Sequence, residues 1–194
     1  MKNKYSRILI FLAGLSLIGL FLFPVWKITL EAPQYPGGIS MYIWINKISG
    51  DSPGTLQNIN ILNHYIGMQA IHPDSIPELN YFQYIVILMT LLAFLLAAFH
   101  KRSLLLIWTI VLVLLSAFAL YDFYQWEYDY GHNLSPDAAI KVPGMTYQPP
   151  FLGDKTLLNF VAYSYPSLGS VFIGLSMLFG GMAFIFKRKY NIEQ

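Results

Sequence analysis

Residues 104–121 read LLLIWTIVLVLLSAFALY and contain no charged side chain. A helix needs about 20 mostly apolar residues to cross the hydrocarbon core of a bilayer. A core helix of similar length in a soluble protein normally keeps a polar face, and this segment has none. The segment therefore predicts a transmembrane helix.

Three further segments have the same character, and they are residues 8–26, 82–99 and 168–186. The composition agrees, since the chain is 56% hydrophobic and 11% charged, whereas a soluble domain is roughly 25% charged. We predict an all-α membrane protein with four transmembrane helices that form a single membrane domain over residues 1–194. Residues 27–81 and 122–167 then form two long ordered loops that make up a cap.

The first apolar segment follows basic residues, as the core of a secretory signal peptide would. The residues after it, Phe23-Pro24-Val25-Trp26-Lys27, are bulky and provide no small-residue cleavage site. An uncleaved membrane anchor is the favoured interpretation.

The basic residues predict the orientation. Eight of the twelve lysines and arginines lie before the first segment, between the second and third, and after the fourth. Nine of the ten acidic residues lie in the two long loops instead. By the positive-inside rule, the three basic positions face the cytoplasm. We therefore expect a multi-pass protein of the bacterial inner membrane, with cytoplasmic termini and both long loops outside.

Local patterns predict some structure within these loops. Residues 39–48 alternate imperfectly and indicate a short strand or an interfacial segment. Leu56 to Ala70 carries apolar residues at helical spacing, which predicts a helix. In the second loop, frequent proline and glycine argue against long regular structure, so we expect an ordered, irregular segment.

Histidine and methionine are the soft donors of the loops. The chain has no cysteine, which excludes disulfides, iron–sulfur clusters, thiolate zinc sites and c-type haem attachment by this chain. Imidazole and thioether suit copper, and Cu(I) prefers the thioether. If the predicted helix from Leu56 to Ala70 forms, His64 and Met68, which are four residues apart, share one face. The candidate copper ligands are His64, Met68, His72, His132 and Met145. Two structural roles remain open, core packing for Met68 and a backbone hydrogen bond for His132.

Aromatic residues crowd the start of the second loop. Tryptophan and tyrosine are enriched at membrane interfaces, and they are also frequent at protein-binding surfaces. The candidate partner-binding residues are Tyr65, Trp126, Tyr128, Tyr130 and Tyr147. The acids nearby, Asp122, Glu127 and Asp129, are expected to be solvated at the membrane edge or to assist a metal or partner. His100 is expected to lie at the interface beside Lys101.

The sequence does not indicate an enzyme. No charged residue interrupts the apolar segments, so no proton relay or ion path within the helices is predicted. The metalloprotease and hydrolase motifs His-Glu-x-x-His and Gly-x-Ser-x-Gly do not occur. The short cytoplasmic segments also carry no nucleotide- or nucleic-acid-binding pattern.

Several strings in both loops are specific enough to compare with a family, and they are residues 32–38, 58–68, 128–134, 141–150 and 157–160. They resemble a family of small four-helix membrane proteins associated with nitrous-oxide reductase gene clusters of Bacteroidetes and related bacteria. The resemblance spans nearly the whole chain. It implies an accessory role in maturation, through copper handling, or in electron supply to a periplasmic copper enzyme. The implied partners are other membrane or periplasmic maturation proteins, and no catalytic residue is implied.

Two other functions remain open. The aromatic and proline-rich loops are also typical of a metal-free docking or scaffold protein. The chain is also compatible with a lipid- or quinol-interacting subunit that uses Trp126 and the interfacial tyrosines.

Overall fold

A computed structural model describes residues 2–192 of the chain, with side chains from residue 3 to residue 187. The side chains of Lys2, Arg188 and Lys189, and the whole of Glu193, enter the charge pattern above but lie outside the described part. In chain order the elements are α1 (Lys2–Ile18), β1 (Trp26–Ala32), β2 (Tyr35–Ile43), β3 (Ile48–Gly50), α2 (Thr55–Ile66), α3 (Glu78–Phe99), α4 (Arg102–His132), β4 (Gly153–Leu157), β5 (Phe160–Pro166) and α5 (Leu168–Ile192).

Four of the helices, α1, α3, α4 and α5, form a bundle that we call the stem. All four are long and apolar enough to cross a membrane, which confirms the prediction of four candidate membrane helices. The bounds predicted for the first, residues 8–26, were wrong, because the helix begins at Lys2 and ends at Ile18, and Trp26 already begins β1. Helix α1 packs against α3 and α5, and α4 packs against α5. The α1 side chains of Ile10, Ala13 and Leu17 are almost inaccessible, so α1 forms the centre of the stem.

The strands form one antiparallel sheet in the order β3-β2-β1-β5-β4. Trp26 of β1 pairs with Ile43 on one side and with Pro166 on the other. Because β1 to β3 come from the first loop and β4 and β5 from the second, the sheet joins both loops into one unit. The all-α prediction was therefore wrong, and the chain is a mixed α/β protein.

Helix α4 is longer than its apolar segment. Its 31 residues span about 46 Å at 1.5 Å per residue, whereas a hydrocarbon core is about 30 Å thick. The apolar part ends at Tyr121, and side chains from Phe123 onward pack against the sheet. We therefore assign residues 122–132 to the extramembrane unit, called the cap, which comprises residues 26–77 and 122–166.

Helix α2 is shorter than predicted. It ends at Ile66 because Gly67 adopts a left-handed conformation, with φ of 82°, and its N–H turns back to the carbonyls of Asn63 and His64. The chain then leaves the helix axis. The helical prediction is correct for most of its length and wrong for the last four residues, 67–70.

Candidate functional site: an enclosed chamber in the cap

One face of the α4 extension forms the first wall of the site. Phe123, Trp126, Glu127 and Tyr130 recur at spacings of three and four residues, so they project from the same side of the helix. Three of them pack against the core beneath the sheet. The Phe123 ring lies 5.2 Å from that of Trp26 in β1. The same face therefore carries Glu127 into the interior of the cap.

Gly131 brings a second segment onto this wall. A Cβ at Gly131 would lie 2.2 Å from the Cα of Gln148, so only glycine permits this approach. The N–H of Tyr147 donates to the Gly131 carbonyl at 2.9 Å. Tyr147 is consequently only 2% exposed, with its ring inside the cap.

Helix α2 and the turn after it form the opposite wall. The N–H of Met68 donates to the Asn63 carbonyl at 2.9 Å, and the Asn60 side chain bonds both polar backbone groups of Ile71. These bonds hold the irregular segment after Gly67 against the helix. The Met68 side chain, half-buried, faces the interior.

Between these walls and the sheet lies a cavity of about 50 Å³, which we call the chamber. Its lining is mainly aliphatic and aromatic, and its chemically distinctive members come from β2, α2, α4 and the loops. They are Met41, Asn63, Met68, Trp126, Glu127, Tyr130 and Tyr147. A cavity of this size holds water molecules or an ion, whereas pockets for organic ligands are typically about 300 Å³ or larger.

Two polar groups in the chamber wall have no hydrogen-bond partner among the described residues. They are the carboxyl of Glu127, through both oxygens, and the hydroxyl of Tyr147. Glu127 is 0% exposed, so the expectation of a solvated acid was wrong for this residue. Burial away from water disfavours the charged carboxylate and raises the pKa of Glu127 to about 8. The chamber thus contains an acid whose bonding capacity is unused.

The predicted copper ligands are distributed over the cap. His64 and His72 are exposed, on α2 and on a turn that follows it. The His132 ring stacks on Tyr128 at 3.9 Å between centroids, with its Nδ1 2.9 Å from the Tyr128 carbonyl. Met145 is half-buried in the second loop. Met68 alone among the five lines the chamber, and because α2 ends at Ile66, Met68 does not continue the helical face of His64.

The predicted partner-binding aromatics divide into two groups. Tyr65 and Tyr128 are exposed, at 51% and 43%. Trp126, Tyr130 and Tyr147 are directed into the cap and line the chamber. Tyr65 and Tyr128 are therefore the most accessible of the five, while Trp126 and Tyr130 are half-buried and Tyr147 is buried.

Sequence reasoning missed two features of the site. The burial of Met41 depends on the pairing of β2 with β1, and residues 39–48 show only an imperfect alternation. Glu127 was treated as an edge residue, although the aromatic face on either side of it was visible as a helical repeat. Finding it requires that helix α4 be continued past the end of its apolar segment.

No family model and no curated protein match this chain.

Proposed function

We propose that this protein is an accessory of the bacterial inner membrane that handles Cu(I) for a periplasmic copper enzyme, nitrous-oxide reductase being the first candidate. The chamber is the observation that carries this proposal, because the residues that line it include Met41, Met68 and Glu127, and the Glu127 carboxyl has no partner among the described residues. Thioethers select Cu(I) among biological metals. They support copper handling more directly than the other role implied by the resemblance, electron supply.

The proposed orientation places the chamber in the periplasm. The sheet joins both long loops on one side of the stem, and the positive-inside rule assigns that side to the exterior. A reporter that is active only in the cytoplasm should stay inactive when fused near Gly50 or Pro149. Cytoplasmic activity at either position would contradict the periplasmic assignment and the function that depends on it.

The function is tested in a strain from which the gene has been deleted. We expect nitrous-oxide reductase to accumulate in the periplasm with reduced copper content, and the intact gene to restore it. A second periplasmic copper protein with its own maturation system serves as the control and should keep its copper. Full copper loading of the reductase in the deletion strain would contradict the proposal.

The second candidate function, a docking protein without metal, is favoured by one surface. The N–H of Ile140 donates to the Tyr65 carbonyl at 2.9 Å, which places an exposed loop beside α2. Tyr65, Ile140 and Val142 are 51%, 45% and 42% exposed. Copurification of the copper enzyme should discriminate the two functions. Docking alone would be favoured by two results together. The Ile140→Asp variant would no longer copurify with the reductase, and cells that carry the Met41→Leu/Met68→Leu variant would still contain fully metallated reductase.

A further inference from the structure

The chamber combines donor types that restrict what it can bind. Its wall contains two thioether side chains, from Met41 and Met68, and a single carboxyl, from Glu127. Within the described residues, no group of three or more histidine, cysteine, aspartate or glutamate side chains could hold a metal ion. With one carboxyl, the Asn63 amide and no histidine in its lining, the chamber lacks the set of imidazole or several carboxylate ligands that Zn²⁺ and Ca²⁺ sites use.

Charge restricts the occupant further. Glu127 is the only aspartate, glutamate, lysine, arginine or histidine among the residues that line the chamber. A buried carboxylate without a partner is unfavourable by several kcal/mol. A monovalent cation beside it makes the chamber neutral, a divalent cation leaves an uncompensated positive charge, and an anion adds to the negative charge.

The wall residues are also held in place from three directions. Met41 is 2% exposed in β2, which is hydrogen-bonded to β1 along its length. Met68 follows the left-handed Gly67, and Glu127 lies in a continuous helix. Such rigid support is what a metal site requires of its ligands.

We propose that the chamber is a Cu(I) site in which the sulfur atoms of Met41 and Met68 are donors, and in which Cu(I) displaces the proton of the Glu127 carboxyl to solvent so that the carboxylate supplies the compensating charge. Soft sulfur ligands select Cu(I) over harder ions, and the single negative charge matches its single positive one. This inference deepens the proposed function and rests on it. It assigns Cu(I) binding to the interior of the cap instead of to the exposed histidines His64 and His72.

The experiment is an anaerobic Cu(I) titration of the full-length protein in detergent against a colorimetric Cu(I) chelator. The wild-type protein should bind one Cu(I) per chain with submicromolar affinity. Met41→Leu and Met68→Leu should each weaken binding on the order of 10-fold or more, and the double variant should remove it. Leucine is close to methionine in volume, and unfolding curves verify that the variants fold.

Two controls separate the chamber from other copper binding. Met89→Leu replaces a methionine that is buried in the stem, at 4% exposure, and should leave the affinity unchanged. Glu127→Gln keeps the shape of the side chain but removes the charge, and should weaken Cu(I) binding. X-ray absorption of the copper-loaded protein should show sulfur neighbours that are lost in the double variant.

The possible failures are distinct. Undiminished Cu(I) binding in the Met41→Leu/Met68→Leu protein would overturn the chamber site. If that binding were instead lost in His64→Ala, the copper function would stand with a different site. Absence of Cu(I) binding by the wild-type protein would overturn both the site and the proposed copper-handling function.

Discussion

Stem and cap treat buried polar groups differently. In the stem, Ser176 of α5 donates to the Ala13 carbonyl of α1 at 2.8 Å, and Trp108 of α4 donates to the Met89 carbonyl of α3 at 2.9 Å. In the cap, the Glu127 carboxyl is equally inaccessible but has no partner among the described residues. Buried polar groups in proteins nearly always have a partner. Among the described residues, the buried side-chain polar atoms without a partner therefore lie in the cap, at Glu127 and Tyr147, and this difference is what supports the chamber as the candidate site.

The largest expected effect is a pH dependence of stability that arises from Glu127 in the cap. The pKa of Glu127 is about 8 in the folded protein, compared with an ordinary value of 4.5. Between these pH values the folded state keeps a proton that the unfolded state loses. The contribution of Glu127 to the free energy of unfolding therefore falls as pH rises through this range and levels off above it. The full change is up to about 5 kcal/mol, at 1.36 kcal/mol per pH unit.

Denaturant unfolding of the apoprotein in detergent, from pH 5 to pH 9, measures this effect. Glu127→Gln should be more stable than wild type at pH 9, and the difference should shrink toward pH 5. The control is Glu31→Gln, at an exposed position of β1. Its free energy of unfolding should follow the same curve against pH as that of the wild type. If the Glu127→Gln and wild-type curves ran parallel as well, the carboxyl would have a partner, and the contrast with the stem would disappear.

The next prediction compares a glycine-to-alanine substitution in the cap with one in the stem. Gly131→Ala forces a methyl group against the Gln148 backbone, and we expect a loss of about 3 kcal/mol from overpacking. Gly174→Ala in the stem helix α5 meets no atom within 4 Å and should raise stability by up to about 1 kcal/mol, because alanine favours the helix more than glycine does. Thermal unfolding followed by tryptophan fluorescence compares the two variants. If Gly131→Ala and Gly174→Ala were equally stable, the segment around Tyr147 would not pack against α4 at Gly131.

The smallest expected effect lies in the stem. Ser176→Ala removes the hydrogen bond from α5 to α1 and should cost about 1 kcal/mol. Ser116→Ala is the control, because its hydroxyl bonds the Leu112 carbonyl within the same helix and does not join two helices. Unfolding in detergent should show that Ser176→Ala is less stable than Ser116→Ala. The reverse order of stability would indicate that the hydroxyl of Ser176 does not join α5 to α1.

The sequence predicted the stem because its helices need only length and apolar composition to be recognised. The sheet was missed although β1 shows a clear alternation, with Trp26, Ile28 and Leu30 buried and Lys27 and Thr29 less so. Strand β4 offers no comparable signal, since its four residues from Gly153 to Thr156 are at most half-buried. Pairing between strands from two distant loops depends on tertiary contacts that local patterns do not encode.

The candidate site was predicted only in part, for a related reason. The soft thioether of Met68 makes it a candidate ligand, and Met68 lines the chamber. The pairing of Met68 with His64 requires a helix that continues to Ala70, and Gly67 ends α2 before that point. Met41 and Glu127 join the site through the sheet and the α4 extension, neither of which the apolar segments indicated.

The ionisation state of Glu127 is the most direct test of the central claim, that the cap encloses a carboxyl with no partner. Infrared difference spectra of the apoprotein at pH 7, wild type minus Glu127→Gln, should show the carbonyl stretch of a protonated carboxylic acid, which persists below the pKa of about 8. A carboxylate band in its place would mean that Glu127 is already paired or hydrated, and would contradict the account.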